Sequence, residues 1–237
     1  HEALVRARGH ERLLTFLRSR DVLCARFAAL GIGNLALSPE THSHVLQRGA
    51  IAGLVNLAEA EDAPTRRSVA FALNNLSTNE ANHGVLERVG VVKPLISLAA
   101  RYDDPETHLQ AVIGLRHLAL HPKNRVDMVA MGVLAPLLEL ASLGGAVAAD
   151  GGGTTAGVAD GEDADGASRG AGASPLEVQR EVAACLRNIS LSESNKVAIQ
   201  RAGLLPVLLA LARQGDVELA HQAMGVVANL AEVLENQ

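Results

Sequence analysis

The sequence predicts an all-α solenoid built from repeated helical units, and three observations predict it. One short phrase keeps returning: Asn34-Leu35-Ala36, Asn75-Leu76-Ser77, Asn188-Ile189-Ser190 and Asn229-Leu230-Ala231, with His117-Leu118-Ala119 in the one odd slot. A glycine stands ahead of each phrase, at Gly9, Gly49, Gly90, Gly132 and Gly203. The glycines step by 40, 41, 42 and 71 residues and the Asn/His positions by 41, 42, 71 and 41, so the two ladders stretch together at one place. A period near 40 residues is the signature of stacked helical repeats, and the long step marks one unit with an insertion of about 30 residues. Lastly, apolar residues before each phrase recur at helical spacing, as in Val69, Leu73 and Leu76, or Val182, Leu186 and Ile189.

Aligned on these ladders, each unit reads as three helical pieces. The first runs toward the glycine, over 82–90, 124–132 and 195–203, and opens on Asn82, Asn124 or Asn195, with Thr41 in the matching slot of the second unit. The glycine allows a positive φ or a close backbone approach, which turns the chain sharply into the next helix. The second piece is strongly apolar, over 51–60, 91–100, 133–142 and 204–213. Pro94, Pro136 and Pro206 lie near its start, where a missing N–H costs least. A short polar loop holding Pro64, Pro105 or Pro175 then leads into the third and longest piece, which ends in the Asn phrase. No piece can bury its apolar face alone, so the units must stack into one continuous core.

The units are 1–38 (incomplete), 39–79, 80–121, 122–192 and 193–234, and 235–237 opens another, with Asn236 matching Asn195. The chain is therefore expected to belong to a longer array. The insertion spans 143–174 and is Gly, Ala, Asp and Thr with almost nothing to bury, so it is expected to be a disordered loop. It also holds most of the net charge of -5, leaving the helical units nearly neutral. With no basic field, no Trp and one Tyr, the chain has neither the electrostatics nor the stacking platform of a nucleic-acid binder.

Enzymatic and metal-binding motifs are weak. Gly31-Ile32-Gly33 falls inside a helix, where glycine permits close packing, and Gly151-Gly152-Gly153-Thr154-Thr155 lacks the Walker lysine and a preceding strand. His117 and His121 share a helix face, but no nearby Cys or acid supplies a third ligand. No Ser/His/Asp set stands out, so no catalytic residue, metal site or cofactor is assigned and a small-molecule ligand is disfavoured. Cys24 and Cys185 lie on different units and read as buried free thiols of a reducing compartment. Neither a secretion signal nor a membrane span is expected; the apolar runs 132–149 and 202–212 are interrupted or too short. The expected location is intracellular, cytoplasmic first and nuclear second.

Three helices per unit, a glycine between the first two and a third helix ending in Asn-Leu-Ser or Asn-Ile-Ser resemble the armadillo repeat. The resemblance covers the chain outside the insertion and implies a right-handed α-α superhelix whose third helices line a concave groove. It further implies that Asn34, Asn75, Asn188 and Asn229, with His117 as the departure, hold the backbone of an extended peptide. An amide offers both donor and acceptor, as that task requires. Importin α-like repeats carry Trp four residues before the Asn, whereas this chain has Leu30, Phe71, Ile113, Ala184 and Gly225, which disfavours a nuclear transport adaptor. Arg26, Arg67 and Arg180 stand eight residues before the ladder and suit an acidic ligand. The implied function is a non-enzymatic protein-interaction scaffold that binds an extended or acidic peptide, or partner helices, along the groove. The alternative is the substrate-binding region of an E3 ubiquitin ligase.

Overall fold

The computed structural model describes residues 2–46, 49–101, 104–143 and 173–234. These residues form helices with no strand, three to each unit. They are α1 (Glu2–Arg6), α2 (Gly9–Phe16) and α3 (Val22–Leu35); α4 (His42–Leu46), α5 (Ala50–Leu57) and α6 (Ala63–Ser77); α7 (His83–Val89), α8 (Val92–Ala99) and α9 (Pro105–Leu118); α10 (Pro122–Ala130), α11 (Leu134–Ala141) and α12 (Pro175–Ser190); and α13 (Glu193–Arg201), α14 (Leu204–Ala212) and α15 (Val217–Leu234). The third helices of successive units pack on one another, and the first and second helices cover them from behind. The result is a right-handed α-α superhelix with a single Leu, Val and Ala core running its length.

Local chemistry sets each break. Gly49, Gly90, Gly132 and Gly203 have φ of 76°, 81°, 86° and 75°, the left-handed turn between the first two helices that the sequence expects there. In the first unit the turn falls one residue earlier, on Arg8 at φ 55°, and Gly9 begins the next helix instead. A Cβ at Gly9 would lie 2.2 Å from the exposed Leu4 side chain, which would have to turn aside. The third helices start on side-chain caps: Asp21, Asp62 and Asp104 accept from the N–H of Cys24, Thr65 and Thr107, and Asp216 from that of Leu219. Ser174 completes the set with a capping box closed by Glu177.

The residue that opens each first helix ties one unit to the next. Asn82 Nδ2 donates to the carbonyl of Leu76 at 2.8 Å, Asn124 to Leu118 at 3.0 Å and Asn195 to Ile189 at 3.1 Å. Thr41 Oγ1 donates to Leu35 in the same way. These acceptors are the last carbonyls of the preceding third helix, which would otherwise lack partners. Asn82 also donates to His42 Nδ1 at 2.7 Å, while the other ring nitrogen of His42 contacts the Ala36 carbonyl at 2.8 Å.

The predicted loop at 143–174 lies outside the described residues from 144 to 172. Its ends are fixed: the Leu143 carbonyl accepts from Gln179 Nε2, Ala173 is buried and Ser174 caps α12. Among the described residues no single helix is long and apolar enough to cross a membrane. Two bent pairs pass on length and composition together, turning by 119° after α3 and by 89° between α13 and α14.

Candidate binding groove

Close packing of the third helices decides what the ladder side chains do. A Cβ at Gly33 would lie 2.5 Å from the Phe71 ring and 3.3 Å from the Ala72 Cα, so α3 and α6 approach as closely as they do only because that residue is glycine. At such separation a side-chain amide reaches the neighbouring backbone. Asn75 Nδ2 donates to the Gly33 carbonyl at 3.0 Å, Asn188 to Arg116 at 3.2 Å, and Asn229 to Arg187 at 3.4 Å and to Ser190 Oγ at 2.8 Å. In each case the backbone acceptor is the residue just before the ladder position of the preceding unit. The amide N–H groups therefore staple the stack, and Asn34 is the ladder amide left exposed on α3.

His117 interrupts this pattern. Its ring is half-buried, Nδ1 has no hydrogen-bond partner, and Nε2 sits 3.4 Å from Arg116 Nη2. Burial first, then the charges of Arg116 and His83, push the imidazole down to about 4. Arg116 in turn meets Glu181 of α12 at 2.7 Å, and burial of that carboxyl holds it above the usual range.

The three predicted arginines differ in their partners. Arg67 grips Asp104 with both arms, Nε to Oδ2 at 3.0 Å and Nη2 to Oδ1 at 2.6 Å. Burial pushes Asp104 up, but the hydrogen bonds from Arg67 and Thr107 outweigh it and hold the carboxyl below its ordinary range. Arg180 grips Asp216 with the same fork, which holds that carboxyl at about 2. Both acids cap the next third helix, so each fork binds a cap to the unit before it. Arg26 has no carboxylate partner among the described residues; its guanidinium lies over the Phe27 ring, 4.8 Å from the centroid.

Arg26, Leu30 and Asn34 of α3, Arg67 and Phe71 of α6, and Glu106 and Gln110 of α9 line one trough of about 540 Å³ across three successive third helices. The structure thus gathers Arg26, Asn34 and Arg67 and leaves His117, Arg180, Asn188 and Asn229 farther along the stack. Sequence reasoning missed the polar wall of this trough, where Asn74 Nδ2 donates to Gln110 Oε1 at 2.8 Å and Gln110 Nε2 to Glu106 Oε1 at 2.9 Å. The signal for it was present, since Asn74 and Gln110 lie 36 residues apart, close to one repeat.

No group of three or more His, Cys, Asp or Glu among the described residues is placed to hold a metal ion. Both thiols are free. Cys24 is half-buried, while burial pushes the Cys185 thiol up to about 12 and leaves it inert as a nucleophile.

Three-helix units, left-handed glycines at the first turn and third helices stapled by a recurrent Asn make this chain an armadillo-repeat array. The comparisons with known proteins agree. The chain superposes on a designed armadillo repeat protein in complex with the peptide (KR)4, with a TM-score of 0.75 and 20% identity over 97% of this chain and 84% of that one. It superposes on an engineered protein with a TM-score of 0.78 and 25% identity over 97% of this chain and 49% of that one. Among curated proteins it is 25% identical over 193 residues to vacuolar protein 8 of Saccharomyces cerevisiae and 22% identical over 210 residues to that of Schizosaccharomyces pombe. These alignments cover 81% and 88% of this chain but 28% and 33% of the relatives, so the chain spans about a third of their length. No protein-family model matches it.

Proposed function

We propose that this array is a non-enzymatic docking platform inside the cell that holds an extended peptide segment of a partner protein across its third helices. The observation that carries the reading is the trough itself, formed by side chains of α3, α6 and α9 that the stack leaves uncovered. Its lining mixes an apolar shelf with guanidinium and amide groups, the mixture that fixes an extended chain by side-chain anchors and backbone hydrogen bonds. The armadillo neighbour with its bound (KR)4 peptide supports the same mode of use. An acidic preference is part of the proposal and rests chiefly on Arg26, because Arg67 and Arg180 already hold carboxylates.

The test is to recover partners from the source cell, reduce them to a binding segment and map it with a photo-crosslinking side chain at position 30 or 110. Crosslinks at both positions, lost on competition with unlabelled segment, are expected. A segment that binds with full affinity and crosslinks at neither position sinks the groove reading.

A further inference from the structure

We propose that the α3–α6–α9 end of the groove selects a segment carrying a Leu- or Phe-sized side chain with a carboxylate within two residues of it. This rests on the groove reading above and adds what the groove reads. The apolar half comes from Leu30, which is 38% exposed, and Phe71, half-buried across the trough on α6. An exposed and a half-buried apolar side chain lining one trough offer an anchor pocket, and such anchors supply most of the affinity of a peptide site.

The charged half comes from Arg26. It stands one helical turn from Leu30, about 6 Å along the axis, close to the 6–7 Å between alternate residues of an extended chain. Its counterpart on α6, Arg67, is neutralised by Asp104, and the counterpart on α12, Arg180, by Asp216. The acid in register with Arg26 is Asp62, which caps Thr65 as Asp104 caps Thr107 but makes no ion pair with Arg26. A cation left without a carboxylate beside an apolar shelf is the complement of an acid beside an apolar side chain.

The opposite wall sets direction. Glu106 is engaged by Gln110 and Gln110 by Asn74, so the α9 side presents amides and one negative charge. A carboxylate is therefore favoured at the α3 end and disfavoured at the α9 end. A Lys- or Arg-rich segment of the kind bound by the designed neighbour would set a charge against Arg26.

The test uses the intact chain, a displayed library of random octapeptides, and synthetic octapeptides with Leu-Glu, Leu-Gln, Ala-Glu or Leu-Lys pairs in a Gly-Ser background. Selection is expected to enrich an apolar residue near an acid. Leu-Glu should bind about two- to fivefold more tightly than Leu-Gln at low salt, the range for one exposed ion pair. Arg26→Ala should erase that ratio, as should high salt, while Leu30→Ser should weaken Leu-Glu and Leu-Gln alike. Both variants change exposed or half-exposed positions, and circular dichroism checks that they fold.

Enrichment of basic segments, or a Glu-over-Gln ratio unchanged in Arg26→Ala, overturns the subsite. If the peptides still crosslink to position 110, the groove reading survives that result. If no peptide is selected, or crosslinks fall only outside the third helices, both readings fall.

Discussion

Replacing His117 with Asn should repair the one broken rung of the ladder and remove a pH sensitivity from the stack. At the other third-helix interfaces an amide N–H reaches the carbonyl just before the preceding ladder residue, at 3.0 to 3.4 Å. By that register the partner of an Asn at 117 is the carbonyl of Asn74. One such bond adds about 0.5–1.5 kcal/mol, and His and Asn have similar helix propensities, so the gain at neutral pH is about 1 kcal/mol.

The pH term has a definite sign. The folded chain holds His117 down at about 4, whereas the unfolded chain protonates it near its ordinary value of 6.5. Stability is therefore intact above about 6.5 and is lost as pH falls toward 4, because only the unfolded state takes up the proton. Taken in full, the shift is worth about 2 kcal/mol at pH 5, and partial solvent access reduces this to about 1. Urea unfolding followed by helical ellipticity at pH 7.5 and pH 5 reads both effects, with the remaining histidines common to parent and variant. His117→Asn should raise the midpoint at pH 7.5 and lose less of it at pH 5. Equal pH dependence in the two proteins would refute the account of the imidazole, and a lower midpoint at pH 7.5 would refute the missing rung.

Other interfaces give further tests. Asp104→Ala removes a helix cap and the partner of Arg67, and should cost about 1–3 kcal/mol by urea unfolding; a change within error would show that Thr107 and Arg67 find other partners. Gly33→Ala should cost about 1–3 kcal/mol because its methyl meets the Phe71 ring, while Gly84→Ala, with nothing within 4 Å, should be neutral or stabilise by about 0.5 kcal/mol. Asn82→Ala takes the amide donor from the buried Leu76 carbonyl and leaves His42 Nδ1 only the longer contact from Asn79 at 3.4 Å, and thermal unfolding should show a loss of about 1–3 kcal/mol. A near-neutral result there would mean that water replaces the amide.

Much of the architecture was legible because repetition exposes it. A glycine and an asparagine recurring near 40 residues fix the units, and the turn at Gly49, Gly90, Gly132 and Gly203 follows from what glycine alone does well. The first unit slipped by a residue because the turn forms where the helix ends, and Arg8 rather than Gly9 occupies that place. The positions of the ladder residues were readable, but their partners were not. An amide's acceptor is chosen by the distance between helices, and the carbonyls of Gly33 and Arg116 lie 42 and 72 residues from the side chains that reach them. The arginine forks were hidden in a similar way. Asp104 and Asp216 read as polar loop residues, although they follow Arg67 and Arg180 by 37 and 36 residues.

The same geometry links how the stack is held to what it can bind. The interface of α12 with α15 has both an amide staple and an arginine fork, through Asn229 and Arg180. That of α6 with α9 keeps the fork but carries His117 in place of the amide. Between α9 and α12 the fork positions hold Leu109 and Ser174, and Arg116 with Glu181 supplies a different ion pair. Between α3 and α6 the amide of Asn75 is present, while Arg26 and Asp62 stand in the fork positions without pairing. A guanidinium committed to a cap has its charge cancelled and its geometry fixed, so it contributes little to drawing in an acid. Selectivity along this array should therefore follow the missing forks, and Arg26 is where a missing fork leaves a cation in the trough lining without a carboxylate.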